Sequence, residues 1–138
     1  MENPFNDWTN DQVMQGFSWR KNSVSFRTLQ EMGMHYIDIY LGDHVGELLA
    51  GVQRAIEVPF EVPRDGAIDL ASIGASIPLQ LPAGRYLLRC EFFRLVEGST
   101  PKVRLSFGSK DAPHFAVPYT DESLHIDKLV TDAQPAIN

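Results

Sequence analysis

The chain has 138 residues, of which 43% are hydrophobic and 22% are charged, and it carries a formal net charge of −6 at pH 7. This length suits one domain with a single core, and the composition is that of a globular protein rather than a disordered or fibrous one. The acidic balance argues against a protein that grips nucleic acid directly, because such binding needs an excess of Lys and Arg. It is compatible with a basic protein partner, since complementary charges speed encounter.

We expect a single domain over residues 1–138, with an extended arm at 1–10 and a flexible tail at 131–138. No apolar run approaches the ~20 residues that span a bilayer, and the first residues lack the basic start and apolar core of a signal peptide. We therefore expect a cytoplasmic protein with no membrane association. The one cysteine, Cys90, falls on the apolar face of a predicted strand, which indicates a buried structural thiol.

The first predicted elements are a helical turn and a strand. Thr9 is a suitable helix N-cap, Asp11 would lie in the first turn, and Gly16 would end a short helix over residues 12–15. Beyond it, residues 23–28 alternate apolar and polar side chains, which is typical of a strand.

A second strand is predicted over residues 35–42, with one apolar face and one largely polar face. The apolar face consists of Ile37, Ile39 and Leu41, and the other of Tyr36, Asp38 and Tyr40. Such a strand suits an antiparallel sheet with one side toward water. Residues 42–53 are ambiguous, because their apolar residues recur at helical spacing but glycines interrupt them. We expect a mobile loop or one helical turn there.

The clearest alternation in the chain lies over residues 54–62. The side chains expected to face the core are Ile56, Val58, Phe60 and Val62. Glu57, Pro59 and Glu61 would then point outward, and the proline predicts an edge strand or a bulge because it lacks a backbone donor. A turn at 63–66 and a short strand at 67–72 follow.

Residues 77–93 have the pattern of an antiparallel hairpin. Ile77, Leu79 and Leu81 alternate with polar or proline residues before a turn at 82–84, where proline and glycine favour chain reversal. The second run places one set of residues on its apolar face: Tyr86, Leu88, Cys90 and Phe92. Arg85, Arg89 and Glu91 belong to the opposite face.

Three further strands are predicted, over residues 102–109, 115–119 and, with a weaker pattern, 124–130. The fold class is therefore all-β: an antiparallel β-sandwich of about seven or eight short strands with one short helical turn near the N-terminus. A barrel is the second choice.

Sequence motifs for catalysis or metal binding are missing. The four histidines have no metal-ligand spacing, and the common nucleophile, phosphate-binding and zinc signatures are absent. The aspartates do not form the cluster that a calcium-binding sandwich needs. We therefore expect no catalytic residue, no metal and no cofactor.

Two blocks of the sequence have motifs in a distinctive order. The first contains Asp7, Trp8 and Thr9, a Gly16-Phe17 step and the strand at 23–26. The second consists of 58–62, then 66–68, then 79–90, which reads LQLPAGRYLLRC. Together these blocks resemble the competence protein J family, the inhibitors of the DNA-entry nuclease. The resemblance implies a non-enzymatic, cytosolic inhibitor or immunity protein that binds a nuclease or nuclease toxin.

Candidate partner-binding residues follow from charge and size rather than from a family motif. Carboxylates can occupy the positions of DNA phosphates in a nuclease cleft, and tryptophans often anchor interfaces. The candidates are Glu57, Glu61, Asp65, Asp43, Glu47, Trp8 and Trp19. For both tryptophans the alternative is core packing, and for Glu57 and Glu61 it is protection of a sheet edge. The alternative for the whole chain is a β-sandwich binding module for a small molecule or lipid, and a small enzyme comes third.

Overall fold

The computed structural model describes residues 6–21, 23–29, 35–72, 75–120, 124 and 129–134. Within these ranges the chain is mostly β, so the predicted all-β class is confirmed. The elements are α1 (Asn10–Gln15), β1 (Phe17–Arg20), β2 (Ser23–Phe26), β3 (Tyr36–Gly42), β4 (Val52–Val62), β5 (Ala67–Ser72), β6 (Ala75–Gln80), β7 (Gly84–Phe93), β8 (Lys102–Gly108) and β9 (Ala116–Tyr119). In the described part of the chain, no helix is long and apolar enough to cross a membrane.

The short helix α1 forms where the sequence predicts it and has signals at both ends. The Thr9 hydroxyl accepts a hydrogen bond from the backbone N–H of Gln12, and the Gln12 side chain accepts one from the backbone N–H of Thr9. This reciprocal capping box satisfies two backbone donors that the first helical turn leaves free. Gly16 ends the helix in the left-handed conformation at φ 90°, which glycine adopts without a steric penalty.

The segments that flank this helix are held against β1. Asn6 is buried, and its side-chain amide donates to the carbonyls of Ser18 and Ser23. The backbone N–H of Asp7 bonds the Gln134 carbonyl, and that of Ala133 bonds the carbonyl of Trp19. The described parts of the predicted arm and tail, residues 6–9 and 131–134, thus lie beside each other along β1.

The main sheet has five strands in the order β3-β8-β7-β4-β9. Its neighbours are antiparallel except β3 and β8, which are parallel from Tyr36 opposite Lys102 to Gly42 opposite Gly108. The prediction of a wholly antiparallel sandwich is therefore wrong at this strand pair. β4 lies inside the sheet, but β9 pairs only with Ala55 and Glu57. Pro59 lies beyond that paired segment, so no residue of β9 requires a hydrogen bond from the backbone N–H that proline lacks.

The predicted hairpin over residues 77–93 is wrong in its pairing. β6 does form, but it pairs with β5 in a separate two-stranded sheet. β7 pairs instead with β4 on one side and β8 on the other. The physical reason is length, because the ten residues of β7 match the eleven of β4, whereas β6 offers only six. The segment at 82–84 connects β6 to β7, which lie in different sheets.

One face of the main sheet, the core face, packs against the two smaller sheets. Its buried residues from β4, β7 and β8 include Ile56, Val58, Tyr86, Leu88, Cys90, Phe92, Val103, Leu105 and Phe107. Phe17 and Trp19 from β1, and Ile68 and Leu70 from β5, pack onto the same cluster. The result is a sandwich-like arrangement with a single core.

The buried-thiol prediction for Cys90 is confirmed. The residue is 1% exposed within the core cluster. Burial raises the pKa of its thiol well above the ordinary value, and the neighbouring Glu91 charge adds to that effect.

The opposite side of the main sheet, the outer face, is covered by a loop over residues 43–51 that we call the strap. It leaves the end of β3 and crosses to the beginning of β4 at the other end of the sheet. The Val45 carbonyl contacts Arg89 on the outer face, and the backbone N–H of Leu49 donates to Glu91. Of the two structures predicted for residues 42–53, the loop forms and the helical turn does not.

Candidate partner-binding surface

Glu57 lies on the outer face of β4 and is 6% exposed. The carboxylate uses both oxygens: Oε2 accepts from Arg89 Nε at 2.8 Å and contacts Arg89 Nη2 at 2.7 Å, while Oε1 lies 2.7 Å from His114 Nε2. The alternation placed Glu57 on the correct face, but the prediction that it points into solvent is wrong. The strap and the residues after β8 cover this part of the sheet.

Three charged side chains fix the strap against the outer face. Asp111 Oδ2 accepts the backbone N–H of Val45 at 2.7 Å, and Oδ1 lies 2.8 Å from His44 Nδ1. Arg89 Nη1 contacts the Val45 carbonyl at 3.5 Å, and the fully buried Glu91 accepts the backbone N–H of Leu49 at 3.2 Å. These bonds satisfy backbone groups that a loop covering a sheet would otherwise leave unpaired.

Gly108 at the end of β8 permits this close approach. A Cβ atom there would collide with the Asp111 carboxylate and would lie 3.0 Å from the backbone nitrogen of Val45. The glycine therefore leaves the space in which the carboxylate reaches the strap backbone.

Two titratable groups in this region have shifted pKa values. The hydrogen bond to Glu57 raises the pKa of His114, against the opposing effect of desolvation. For Asp111, desolvation acts to raise the pKa, but the bonds from His44 and from the Val45 N–H together hold it below its usual value. Both shifts favour the charged forms that tie the strap and the loop after β8 to the sheet.

The His114 shift predicts a pH-dependent contribution to stability. A histidine with a raised folded-state pKa stabilises the fold fully below its unfolded pKa, and this stabilisation is lost as the pH rises through the folded pKa. Replacing His114 with glutamine is therefore expected to lower the free energy of unfolding more at about pH 5.5 than at about pH 8.5. Urea denaturation at both pH values measures the difference. In a Glu57→Gln background the pH dependence of the His114 substitution should vanish, and its persistence would contradict the assignment.

The strap carries two of the predicted carboxylates on the surface. Asp43 and Glu47 are both exposed. Asp43 lies 3.3 Å from the Lys110 ammonium, with both side chains mostly in solvent. An exposed pair of this kind adds little stability, so Asp43 remains accessible to another cation.

Glu61 and Asp65 form a second exposed pair of acids, at the end of β4 and in the turn that follows. Glu61 lies opposite Arg85 in the β4–β7 ladder. Asp65 Oδ1 accepts the backbone N–H of Ala67, and the N–H of Gly66 bonds the Pro63 carbonyl, which confirms the predicted turn at 63–66.

Asp43 lies at the same end of the main sheet as Glu61 and Asp65, whereas Glu47 lies further along the strap, between Val45 beside Arg89 and Leu49 beside Glu91. Gly42, which precedes Asp43, is level with Pro59, which precedes Glu61 by two residues, because Gly108 and Leu87 connect them across the ladder. Gly42 and Pro59 are three strand spacings apart across the sheet, so at ~4.8 Å per spacing about 14 Å separates them. Four of the five predicted acids are thus exposed, in two groups, while Glu57 is buried.

The two tryptophans differ in their surroundings. Trp19 packs against the core, contacts Phe115 edge to face with ring centroids 4.9 Å apart, and donates its indole N–H to the Pro59 carbonyl at 2.8 Å. These contacts agree with the core-packing alternative. Trp8 is half-buried beside the N-terminus of α1, and its role as an interface anchor stays a prediction.

Sequence reasoning missed Arg89, Glu91, Asp111 and His114 as partners of the strap and of Glu57. A signal for β7 was present, because Leu87 is apolar at a position that alternation assigns to the polar face. A strand with apolar residues on both faces is covered on both faces. No local signal marked Asp111 or His114, since their partners lie far away in the chain.

Two observations on the described residues bear on a metal site and on a ligand pocket. No group of three His, Cys, Asp or Glu among them is arranged to hold a metal ion. A depression of about 340 Å³ lies among Leu29, Leu95, Val96 and Pro101, but Leu95 and Val96 are themselves exposed. Binding modules for small molecules enclose most of the ligand surface. This open depression does not meet that requirement.

The comparisons with known proteins decide the family. The sequence profile of competence protein J (ComJ) matches residues 1–108. The chain belongs to the competence protein J family. The match includes β8, so the family region of this ComJ member extends past residue 90, the last residue of the two motif blocks described above.

One solved structure supports the ComJ fold. The chain is similar to the crystal structure of ComJ from Bacillus subtilis, which is described as an inhibitor of the DNA-degrading activity of NucA. The TM-score is 0.66 at 21% sequence identity, over 79% of this chain and 81% of the other. A search of curated proteins gave no match. Asp111 and His114 lie outside the ComJ profile match, whereas Glu57 and Arg89 lie inside it.

Proposed function

We propose that this chain is a non-enzymatic inhibitor that binds a DNA-degrading nuclease or nuclease toxin in the cytoplasm and prevents cleavage of DNA. The observation that carries the proposal is the ComJ family match over residues 1–108. The shared fold of the Bacillus subtilis protein described as an inhibitor of NucA supports it.

The exposed acids give this function a physical basis. A nuclease cleft receives phosphates, so carboxylates on a rigid surface can pair with its cationic side chains. Asp43 and Glu47 on the strap and Glu61 and Asp65 beside the 63–66 turn are accessible for this role. We leave Glu57 out of the binding surface, because Arg89 and His114 already occupy its carboxylate.

Calorimetry against a DNA-degrading nuclease of the NucA kind tests the proposal, together with a plasmid-degradation assay. We expect stoichiometric binding and loss of cleavage at equimolar inhibitor. Absence of binding at micromolar concentrations would refute the inhibitor function.

Charge reversal tests the surface separately from the function. We expect the Asp43→Lys/Glu47→Lys variant and the Glu61→Lys/Asp65→Lys variant each to raise the dissociation constant by at least about tenfold, because attraction to the basic cleft becomes repulsion. Glu97→Lys is the matched control, since Glu97 is an exposed acid in the β7–β8 loop at the opposite end of the sheet. If neither double variant weakens binding while the wild type inhibits, the inhibitor function stands and these acids are not its contact surface.

A further inference from the structure

The β3 strand forms an edge of the main sheet with no covering strand among the described residues. It pairs with β8 on one side along all seven residues, from Tyr36 to Gly42, without a register shift. In the part of the chain that the structure describes, no strand pairs with the backbone donors and acceptors on its other side. Edges of this kind are templates for another strand, and proteins usually interrupt them with proline, a bulge or a short length.

The opposite edge of the same sheet has those interruptions. β9 has four residues, contains Pro118, and pairs with β4 at only Ala55 and Glu57 with a register shift between them. β3 has no proline, no lysine and no bulge. β3 therefore lacks the features that limit pairing at the β9 edge.

The side chains of β3 are apolar and exposed. Five of its residues are exposed large hydrophobics, from 37% for Ile39 to 60% for Tyr36: Tyr36, Ile37, Ile39, Tyr40 and Leu41. Ile37, Ile39 and Leu41 lie level with Val103, Leu105 and Phe107 of the buried core. The core face of the sheet thus continues to the β3 edge and ends in solvent.

The sequence of β3 is self-complementary in antiparallel pairing, so a second copy of the same strand fits this edge. We propose that two copies of the chain pair antiparallel through β3, with the two Ile39 residues opposite each other on the two-fold axis. Ile37 of one copy then faces Leu41 of the other, so an apolar row runs unbroken across the junction. Such cross-strand apolar pairs are the contacts that stabilise antiparallel sheets.

Charge complementarity on the outer face supports the same register. Asp38 of one copy lies opposite Tyr40 of the other in this pairing. The Arg104 guanidinium carbon lies 4.9 Å from the Tyr40 ring centroid within each chain. Within each chain the Asp38 carboxylate already lies 3.3 Å from the Lys102 ammonium, and the pairing brings the arginine of the other copy beside it as a second cation, twice per dimer.

The paired sheets would present both straps on the same side of the dimer. A two-fold axis perpendicular to the sheet keeps the outer faces of both copies together. This inference does not depend on the nuclease function, because it rests on the edge, the exposed residues and the charges alone.

Light scattering after size-exclusion chromatography at about 50 µM tests the pairing, since dimer populations depend on protomer concentration. We expect twice the monomer mass for the wild type and the monomer mass for Ile39→Lys. Ile77→Lys is the matched control, because Ile77 is an exposed isoleucine on β6 and should leave the dimer intact. Circular dichroism checks that each variant is folded.

A cysteine on the two-fold axis provides a second test that does not require a charged substitution. Directly opposite residues in antiparallel strands have Cβ atoms about 4.5–5.5 Å apart. We therefore expect Ile39→Cys to form covalent dimers with a short bismaleimide, and Ile77→Cys to remain monomeric in the same reaction. A monomeric wild type, or a dimer that neither Ile39 variant affects, would overturn the proposal. A monomer in which Ile39→Lys abolishes nuclease binding would overturn it too, and would assign the edge to the nuclease.

Discussion

Replacing Arg89 with methionine is expected to lower the free energy of unfolding by about 3–5 kcal/mol at neutral pH, because removing one partner of a buried ion pair leaves the other charge uncompensated. Glu57 would keep only its contact with His114, in a site where both Glu57 and Arg89 are less than a tenth exposed. The strap would also lose the contact between Arg89 and the Val45 carbonyl. Urea denaturation measures this loss.

Two controls separate the ion pair from the loss of side-chain packing. The double variant Arg89→Met/Glu57→Gln should lose less stability than Arg89→Met alone, because no buried charge remains unpaired. Arg85→Met removes an exposed arginine of the same strand and should change stability by less than about 0.5 kcal/mol. A loss below about 1 kcal/mol in Arg89→Met would show that water compensates Glu57.

Replacing Phe17 with alanine is expected to destabilise the fold by about 3–5 kcal/mol, since the substitution leaves a cavity in addition to removing buried apolar surface. Phe17 is 0% exposed, belongs to the core cluster with Ile56, and stacks with Phe115 at a centroid distance of 6.3 Å. It is the first residue of β1, so the cavity would lie between the small β1–β2 sheet and the main sheet. Denaturation followed by tryptophan fluorescence measures the effect.

Phe93→Ala is the matched control for this substitution. Phe93 is only half-buried at the end of β7, where the Lys102 ammonium lies 5.0 Å from its ring centroid. We expect a loss smaller by at least about 1 kcal/mol, because less apolar surface leaves water and the neighbours can relax. Equal losses at the two positions would mean that the β1–β2 layer contributes little to the core.

The local signals in the sequence predicted the short helix α1 and the strand β4. Thr9, Gly16 and the alternation of 54–62 act through residues that are neighbours in the chain, and the corresponding helix and strand are present. The same signals did not predict which strands pair with each other, because a period of two determines which face a residue occupies but not which strand lies beside it. The parallel β3–β8 pair joins segments far apart in the sequence, and the 82–84 turn led to a hairpin that does not form.

The candidate surface was predictable only in part, for a related reason. Exposed acids in turns and loops, such as Asp43, Glu47 and Asp65, follow from local polarity. The burial of Glu57 depends on a strap that crosses the sheet and on His114, 57 residues away in the chain. Tertiary coverage of this kind leaves no local pattern, so the charge of Glu57 alone gave the wrong environment.

The position of Cys90 has a practical consequence for the association of native chains. It is the only thiol in the protein, it lies inside the core, and burial keeps it protonated at neutral pH. Folded molecules therefore cannot join through a disulfide, whatever the redox state of their surroundings. Any covalent dimer of the wild type on a non-reducing gel reports unfolded material, and association of the native protein is unaffected by reductant.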